Sequence, residues 1–200
     1  MKLYYAPGAC SLSPHIVLLE TGLPFELETV DLATKETEKG EDYYLINTKG
    51  AVPALQLDDG AILTEGAVII QYLADQVPEK GLIPAARTLE RYRVQEWLNF
   101  IAMDFQKNFL PVFRPDFAAS KEAAVKLLQK QCDYLDRQLV GKDWLMGDRF
   151  TVADIYLFVI TSWLKYAGID IGQRKLLAAW QERVAARPAV QKALAQEGLK

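Results

Sequence analysis

The sequence predicts an α+β protein, with a small α/β domain over residues 1–80, a linker over 81–87 and an all-helical domain over 88–200. Three observations predict this. Up to residue 80, short strand-like runs bounded by turn residues alternate with helical spacing, and beyond it only helical spacing remains. Half of the 200 residues are hydrophobic and 24% are charged, enough to build a core and too apolar for intrinsic disorder. Charge divides at the same place. Residues 1–80 hold 5 Lys, no Arg and 13 Asp/Glu, a balance of −8, whereas residues 81–200 hold 18 Lys/Arg and 13 Asp/Glu, a balance of +5.

In order along the chain, Leu3-Tyr4-Tyr5 reads as a short strand ended by Pro7-Gly8. A helix opens near Ser11, with Pro14 tolerated in its first turn, Leu12, Ile16 and Leu19 on one face, and Gly22 as its stop. Phe25–Leu32 alternates as a second strand, and 33–40 reads as a loose polar segment. Ala54–Leu57, Asp58-Asp59-Gly60 and Ala61–Leu63 spell a hairpin. The helix Glu65–Val77 follows, closed by Pro78. In the second half Thr88 caps a long helix to about Phe109, broken by Pro111 and Pro115, and a second helix spans about Ala118–Leu139. Thr151-Val152-Ala153-Asp154 reads as a capping box, with Phe150 and Ile155 as its hydrophobic staple. The helix it opens, Val152 to about Tyr166, is apolar nearly all round and is expected at the centre of the bundle. Leu176–Ala186 and Pro188–Gln196 complete it.

Composition excludes several classes. No apolar run approaches the roughly 18–20 residues of a membrane span, and the N-terminus lacks the apolar stretch of a signal peptide. Two cysteines and one histidine make neither a disulfide framework nor a zinc cluster. Basic residues in the second half are scattered among acids rather than run together, which argues against a nucleic-acid surface. The expectation is a soluble, cytoplasmic protein with no metal and no membrane or nucleic-acid partner.

Cys10 is the residue best placed for chemistry. It stands at a strand-to-helix turn, where backbone N–H groups and the helix dipole favour thiolate over thiol. Cys10-x-x-Ser13 has the spacing of a redox Cys-x-x-Cys without its second thiol, so any disulfide formed there must be mixed. Cys132, mid-helix, reads as packing or surface, and His15 as a satisfied structural residue rather than a base. Val52-Pro53 stands at a strand entrance. A cis bond there would turn the Val52 N–H and C=O outward to pair with an extended peptide. Thr64-Glu65-Gly66 begins a helix, where a carboxylate can take an ammonium and helix N–H groups can take a carboxylate. Asn99, Met103 and Gln106 fall at i, i+4 and i+7 of the long helix, a stripe apart from the apolar one.

These residues resemble the glutathione S-transferases, most closely the bacterial beta class. The markers are Gly8–Ser13, Lys49–Leu55, Leu63–Ala74, Phe113-Arg114-Pro115 and Phe150–Asp154, in order and spanning nearly the whole chain. The resemblance implies a thioredoxin-like βαβ-ββα first domain, an all-helical second domain and a homodimer. It implies that glutathione is the co-substrate, with Cys10 beside its sulfur and Ser11 as a second donor. Val52, before a cis Pro53, would pair with the cysteinyl backbone. Glu65 and Gly66 would hold the γ-glutamyl end, and Lys35 would reach the glycyl carboxylate. Asn99, Met103 and Gln106 would close the site from the helical domain, and Asp104 would approach the neighbouring subunit's glutathione. Tyr5, near the catalytic Tyr of other classes, ranks behind Cys10. The class commonly carries His where this chain has Gln106, and Gln cannot exchange a proton near neutral pH. The expected function is conjugation of glutathione to small, electrophilic, mostly apolar compounds held near Phe109, Phe113 and Trp163. A glutaredoxin-like reductase and a non-catalytic carrier of apolar ligands are the alternatives.

Overall fold

Leu3, Tyr4 and Tyr5 are buried along β1 (Lys2–Tyr5), the central strand of a five-stranded sheet of order β3-β2-β1-β4-β5. β1 pairs in parallel with β2 (Glu26–Asp31), Lys2 opposite Glu26 and Tyr5 opposite Thr29, and antiparallel with β4 (Ala54–Gln56). A parallel pair needs a crossover, which α1 (Leu12–Thr21) supplies before Gly22 ends it in the left-handed conformation, φ 76°. β4 and β5 (Ile62–Thr64) form the expected hairpin, Ala54 opposite Thr64, and α2 (Gly66–Asp75) follows. The core between helices and sheet holds Leu3, Leu12, Ile16, Leu18, Leu55, Ile69 and Leu73.

The computed structural model describes residues 1–199, which fall into two units: Met1–Ile83 with the chain from Arg187 onward, and Pro84–Ala186. The expected grouping of residues 88–200 therefore differs at its end. Helix α8 (Pro188–Gln196) packs on α1 of the sheet unit, burying Val190 and Ala193, and Arg187 donates from Nε and Nη2 to Glu20 at 2.7 and 3.0 Å. An apolar stripe specifies that a helix face is covered, not by which neighbour.

The segment 33–40, expected to be loose, carries β3 (Glu36–Thr37), which pairs antiparallel with β2 through Val30 and Asp31. The turn into it is made by Asp31, whose Oδ1 accepts the N–H groups of Ala33 (2.7 Å) and Thr34 (3.1 Å). Those two bonds hold the Asp31 carboxyl below its usual range. On β2 the inward face carries Val30 and, unexpectedly, Glu28. Burial resists ionisation of Glu28, but hydrogen bonds from Lys2 (2.8 Å), Lys39 (3.1 Å) and Thr37 outweigh it and keep its carboxyl below the usual range.

In the second unit α3 (Leu89–Asn99) starts as expected, Thr88 Oγ1 accepting the Arg91 N–H at 3.2 Å. It does not continue as one α-helix to Phe109. A π-helical turn, Phe100–Phe105, is followed by a 3-10 turn, Gln106–Phe109, and then by α4 (Leu110–Phe113). A second 3-10 turn, Pro115–Ser120, leads into α5 (Lys121–Gln138). All ten residues of α6 (Val152–Thr161) are buried, and α7 (Lys175–Ala185) packs on it and on α5. The capping box at Thr151 is formed in full. Asp154 accepts from the Thr151 N–H and hydroxyl, and also from the Leu145 N–H (2.9 Å) and the Trp180 indole N–H (3.0 Å). Burial pushes its carboxyl up, and those four bonds oppose the shift.

Candidate active site

Cys10 lies in the turn Ala6–Ser11, between β1 and α1. The turn is closed by Ala9 N–H to Ala6 C=O (3.1 Å), while Leu12 and Ser13 N–H groups bond Ala9 and Cys10 carbonyls. The half-buried Cys10 Sγ donates to the Val52 carbonyl at 3.4 Å, across 42 residues of chain. The Val52–Pro53 bond is cis. Around Val52 the loop is braced from behind. The Tyr43 hydroxyl (3.0 Å) and Asn47 Nδ2 (2.6 Å) both donate to the Ala51 carbonyl, and burial pushes the Tyr43 phenol up to about 12, so it stays a donor. Gly50 sits at φ +58°, and a Cβ there would meet Tyr44 Cε1 at 2.6 Å, so the loop needs glycine.

Lys35 Nζ reaches this loop and donates to the Gly50 carbonyl at 2.8 Å. Gly66 opens α2, and a Cβ there would stand 3.6 Å from Pro53 Cγ and 4.0 Å from Ser13 Oγ. Helix geometry leaves the Gly66 and Ala67 N–H groups without an intrahelical acceptor. Glu65, just before them, adopts φ 70°, ψ 110°, a conformation a side-chain-bearing residue seldom takes. Its exposed carboxylate meets Lys49, which also donates to Thr64 Oγ1 at 2.9 Å. Cys10, Lys35, Val52, Pro53, Glu65 and Gly66 are thus gathered on one rim of the sheet unit. Spacing did not mark Lys49, because a lysine in a loop carries no periodic signal.

Two expected site residues are placed otherwise. Ser11 is fully buried, and its hydroxyl both donates to the Ala6 carbonyl (3.2 Å) and accepts the Ala6 N–H (3.1 Å). It pins the turn from inside and is no donor to a ligand sulfur. Tyr5 is buried with its ring against His15, centroids 6.1 Å apart. Of the two readings of Cys132, packing is the one the fold adopts: it is buried, which pushes its thiol up to about 12 and leaves it inert.

In the helical unit Asn99, Met103 and Asp104 share one exposed surface with Tyr92 and Glu96. Gln106 is not on it. The π-turn adds a residue between Asn99 and Gln106, which breaks the i, i+4, i+7 stripe and swings Gln106 to another face. There Gln106 lines a cavity of about 320 Å³ with Lys107, Phe109, Phe113 and Trp163. Its side-chain oxygen accepts from the Tyr156 hydroxyl, leaving the amide N–H groups as donors. The three expected aromatic residues meet at this cavity: Phe109 and Phe113 stack at 6.0 Å, and each meets Trp163 edge-on, at 5.6 and 5.4 Å. Among the described residues no helix is long and apolar enough to cross a membrane, and no cluster of three or more His, Cys, Asp or Glu could hold a metal.

A thioredoxin-like unit followed by a helical unit is also the organisation of the two family models this chain matches. The family model of the glutathione S-transferase N-terminal domain matches residues 8–76, and that of the C-terminal domain residues 100–188. The chain belongs to the glutathione S-transferase family. It is 47% identical, over the full length of both proteins, to glutathione S-transferase GstA of Escherichia coli O157:H7. Its fold matches BphK, a bacterial glutathione S-transferase solved as a ternary complex, with TM-score 0.97, 53% identity and complete coverage of both chains. It also matches a sphingomonad enzyme complexed with glutathione (TM-score 0.96, 47% identity, complete coverage) and the beta class enzyme of Sphingomonas chungbukensis (0.97, 46%, complete coverage).

Proposed function

We propose that the chain is a glutathione transferase that conjugates the glutathione thiolate to electrophilic, mostly apolar compounds. The observation that carries this reading is the 3.4 Å approach of Cys10 Sγ to the Val52 carbonyl. A cysteinyl backbone pairing in extended form with Val52 sets its own side chain beside Cys10. The start of α1 then favours the ionised sulfur, and the Cys10 S–H is at hand to donate to it. The γ-glutamyl ammonium replaces Lys49 on the Glu65 carboxylate, its carboxylate takes the Gly66 and Ala67 N–H groups, and Lys35 meets the glycyl carboxylate.

The sulfur lone pair attacks the electrophilic carbon and forms the C–S bond. With an aryl halide the halide leaves with the bonding pair, so no general acid is needed. Disulfide reduction is different, because protonation assists its leaving thiolate, and Gln106, standing where the class commonly carries His, cannot exchange a proton. The aromatic cavity at Phe109, Phe113 and Trp163 takes the apolar electrophile. Asn99 and Met103 are read as further glutathione contacts, and Asp104 as a contact to the neighbouring subunit's glutathione. The working form is a homodimer, supported by the exposed Val68, Leu89 and Tyr92, and its role is cytoplasmic detoxification.

The test is turnover with glutathione over aryl halides, epoxides, isothiocyanates and hydroxyethyl disulfide, with sedimentation of the same preparation. Expected are conjugation exceeding disulfide reduction, and a particle of twice the chain's 22.5 kDa. Faster disulfide turnover with a dithiothreitol-reversible glutathione adduct on Cys10 would replace conjugation with a reductase. Absence of glutathione affinity would leave a carrier of apolar ligands.

A further inference from the structure

The turn that carries Cys10 is held from two sides. From inside, Ser11 pins Ala6. From outside, it is held by the end of the chain. The Gly8 N–H donates to Glu197 Oε2 at 2.9 Å, across 189 residues, and Leu199 covers Gly8, its Cδ2 3.5 Å from where a Cβ would stand. The other carboxylate oxygen of Glu197, Oε1, accepts from His15 Nδ1 at 2.9 Å, with both side chains fully buried. His15 Nε2 and the Gln196 amide are hydrogen-bonded at 2.9 Å, and the ring lies between Tyr5 and Phe25.

Burying a carboxylate costs free energy that its hydrogen bonds at best offset, and an apolar side chain would cover α1 as stably. What the carboxylate adds is position. Its two oxygens tie the Gly8 backbone, two residues before Cys10, to the His15 ring on α1, so the turn cannot shift along the helix. We propose that Glu197 is a positioning residue for Cys10, fixing the Gly8 turn against α1 so that the thiol keeps its place at the helix start. This rests on the reading of Cys10 as the group beside the glutathione sulfur.

The test uses Glu197→Ala, Glu197→Gln and Arg187→Gln, compared well below the melting temperature of each. Arg187→Gln loosens the other end of α8, at Glu20, without touching Gly8. Alkylation of Cys10 by iodoacetamide is timed and located by peptide mass spectrometry, and kcat and KM are measured with glutathione and an aryl halide. Because the thiolate is the reactive form, Glu197→Ala is expected to slow Cys10 alkylation by about fivefold or more. Misplacing the thiol should lower kcat by about tenfold, with the KM of the electrophile little changed. Glu197→Gln, whose amide oxygen still accepts from Gly8, should recover most of both. Arg187→Gln should lower the melting temperature without moving the alkylation rate. Wild-type alkylation in Glu197→Ala, or an equal slowing in Arg187→Gln, overturns the proposal. If Glu197→Ala does not fold, Glu197→Asp, whose shorter arm cannot span Gly8 and His15 together, carries the same comparison, and an unchanged rate there overturns it too. A failed glutathione reading is distinguishable: the wild type would then not conjugate, while the alkylation difference would stand.

Discussion

Glu65 holds φ 70° beside a helix start, with Lys49 on its carboxylate. A side chain held in so costly a backbone conformation marks a place where direction matters more than stability. Lys49 occupies the direction from which a ligand ammonium would come. Removing the carboxylate takes away a charge-assisted hydrogen bond, on the order of 1.5–3 kcal/mol, so Glu65→Ala should weaken glutathione binding by about tenfold or more. Because Glu65 is exposed, the melting temperature should hardly move. Calorimetric titration with glutathione, paired with thermal unfolding, checks both, and an unchanged Kd would remove Glu65 from the site. At this scale Cys10, Val52-Pro53 and Glu65 were legible, since each sits where a turn or helix start gives a residue type local meaning. Ser11 departs from its expected role for a physical reason: sequence places a hydroxyl at a helix start but does not say whether the backbone claims it first.

Asp154 stands in the first turn of helix α6, and here local reading and packing reinforce each other. The Thr-x-x-Asp pattern announces a cap worth about 1 kcal/mol. The fold adds the Leu145 N–H and the Trp180 indole N–H as further donors to the same carboxylate. Asp154→Ala leaves those donors and the Thr151 N–H buried without their acceptor, at about 1–3 kcal/mol each. The expected loss is therefore about 3 kcal/mol or more in urea unfolding, with kcat/KM preserved below the transition. A loss near 1 kcal/mol would reduce Asp154 to a helix cap alone. The π-turn Phe100–Phe105 is the contrary case. Ile101 and Phe105 are fully buried at a spacing that suits an unbroken α-helix, so nothing in the spacing discloses the added residue that moves Gln106.

Across the sheet unit, Glu28 joins β1 to β2 and to the segment after β3 through Lys2 and Lys39. Its folded carboxyl titrates below the unfolded one. Its contribution to stability is therefore complete above the unfolded pKa, near 4.5, and is lost as pH falls through the lower folded value. Glu28→Gln should be less stable than wild type at pH 7, and its melting temperature should decline less steeply between about pH 5 and pH 3. Parallel melting curves across that range would show that Glu28 carries no such linkage.

The order of the main elements, the two-part architecture and the position of the thiol are written in the chain's local signals. Helical and strand periodicities, caps and turn residues are local, and Gly22, Pro78, Thr88 and Thr151 each act within a few residues. Whatever depends on partners far along the chain was set by folding instead. It placed α8 on α1, paired β3 with the open edge of β2, and buried Glu28 because two lysines could reach it. It turned Gln106 away from Asn99 and Met103 into the aromatic cavity. It also brought Glu197 to Gly8 across 189 residues, a contact no local pattern announces, and a buried carboxylate is tolerated only where folding delivers donors to it.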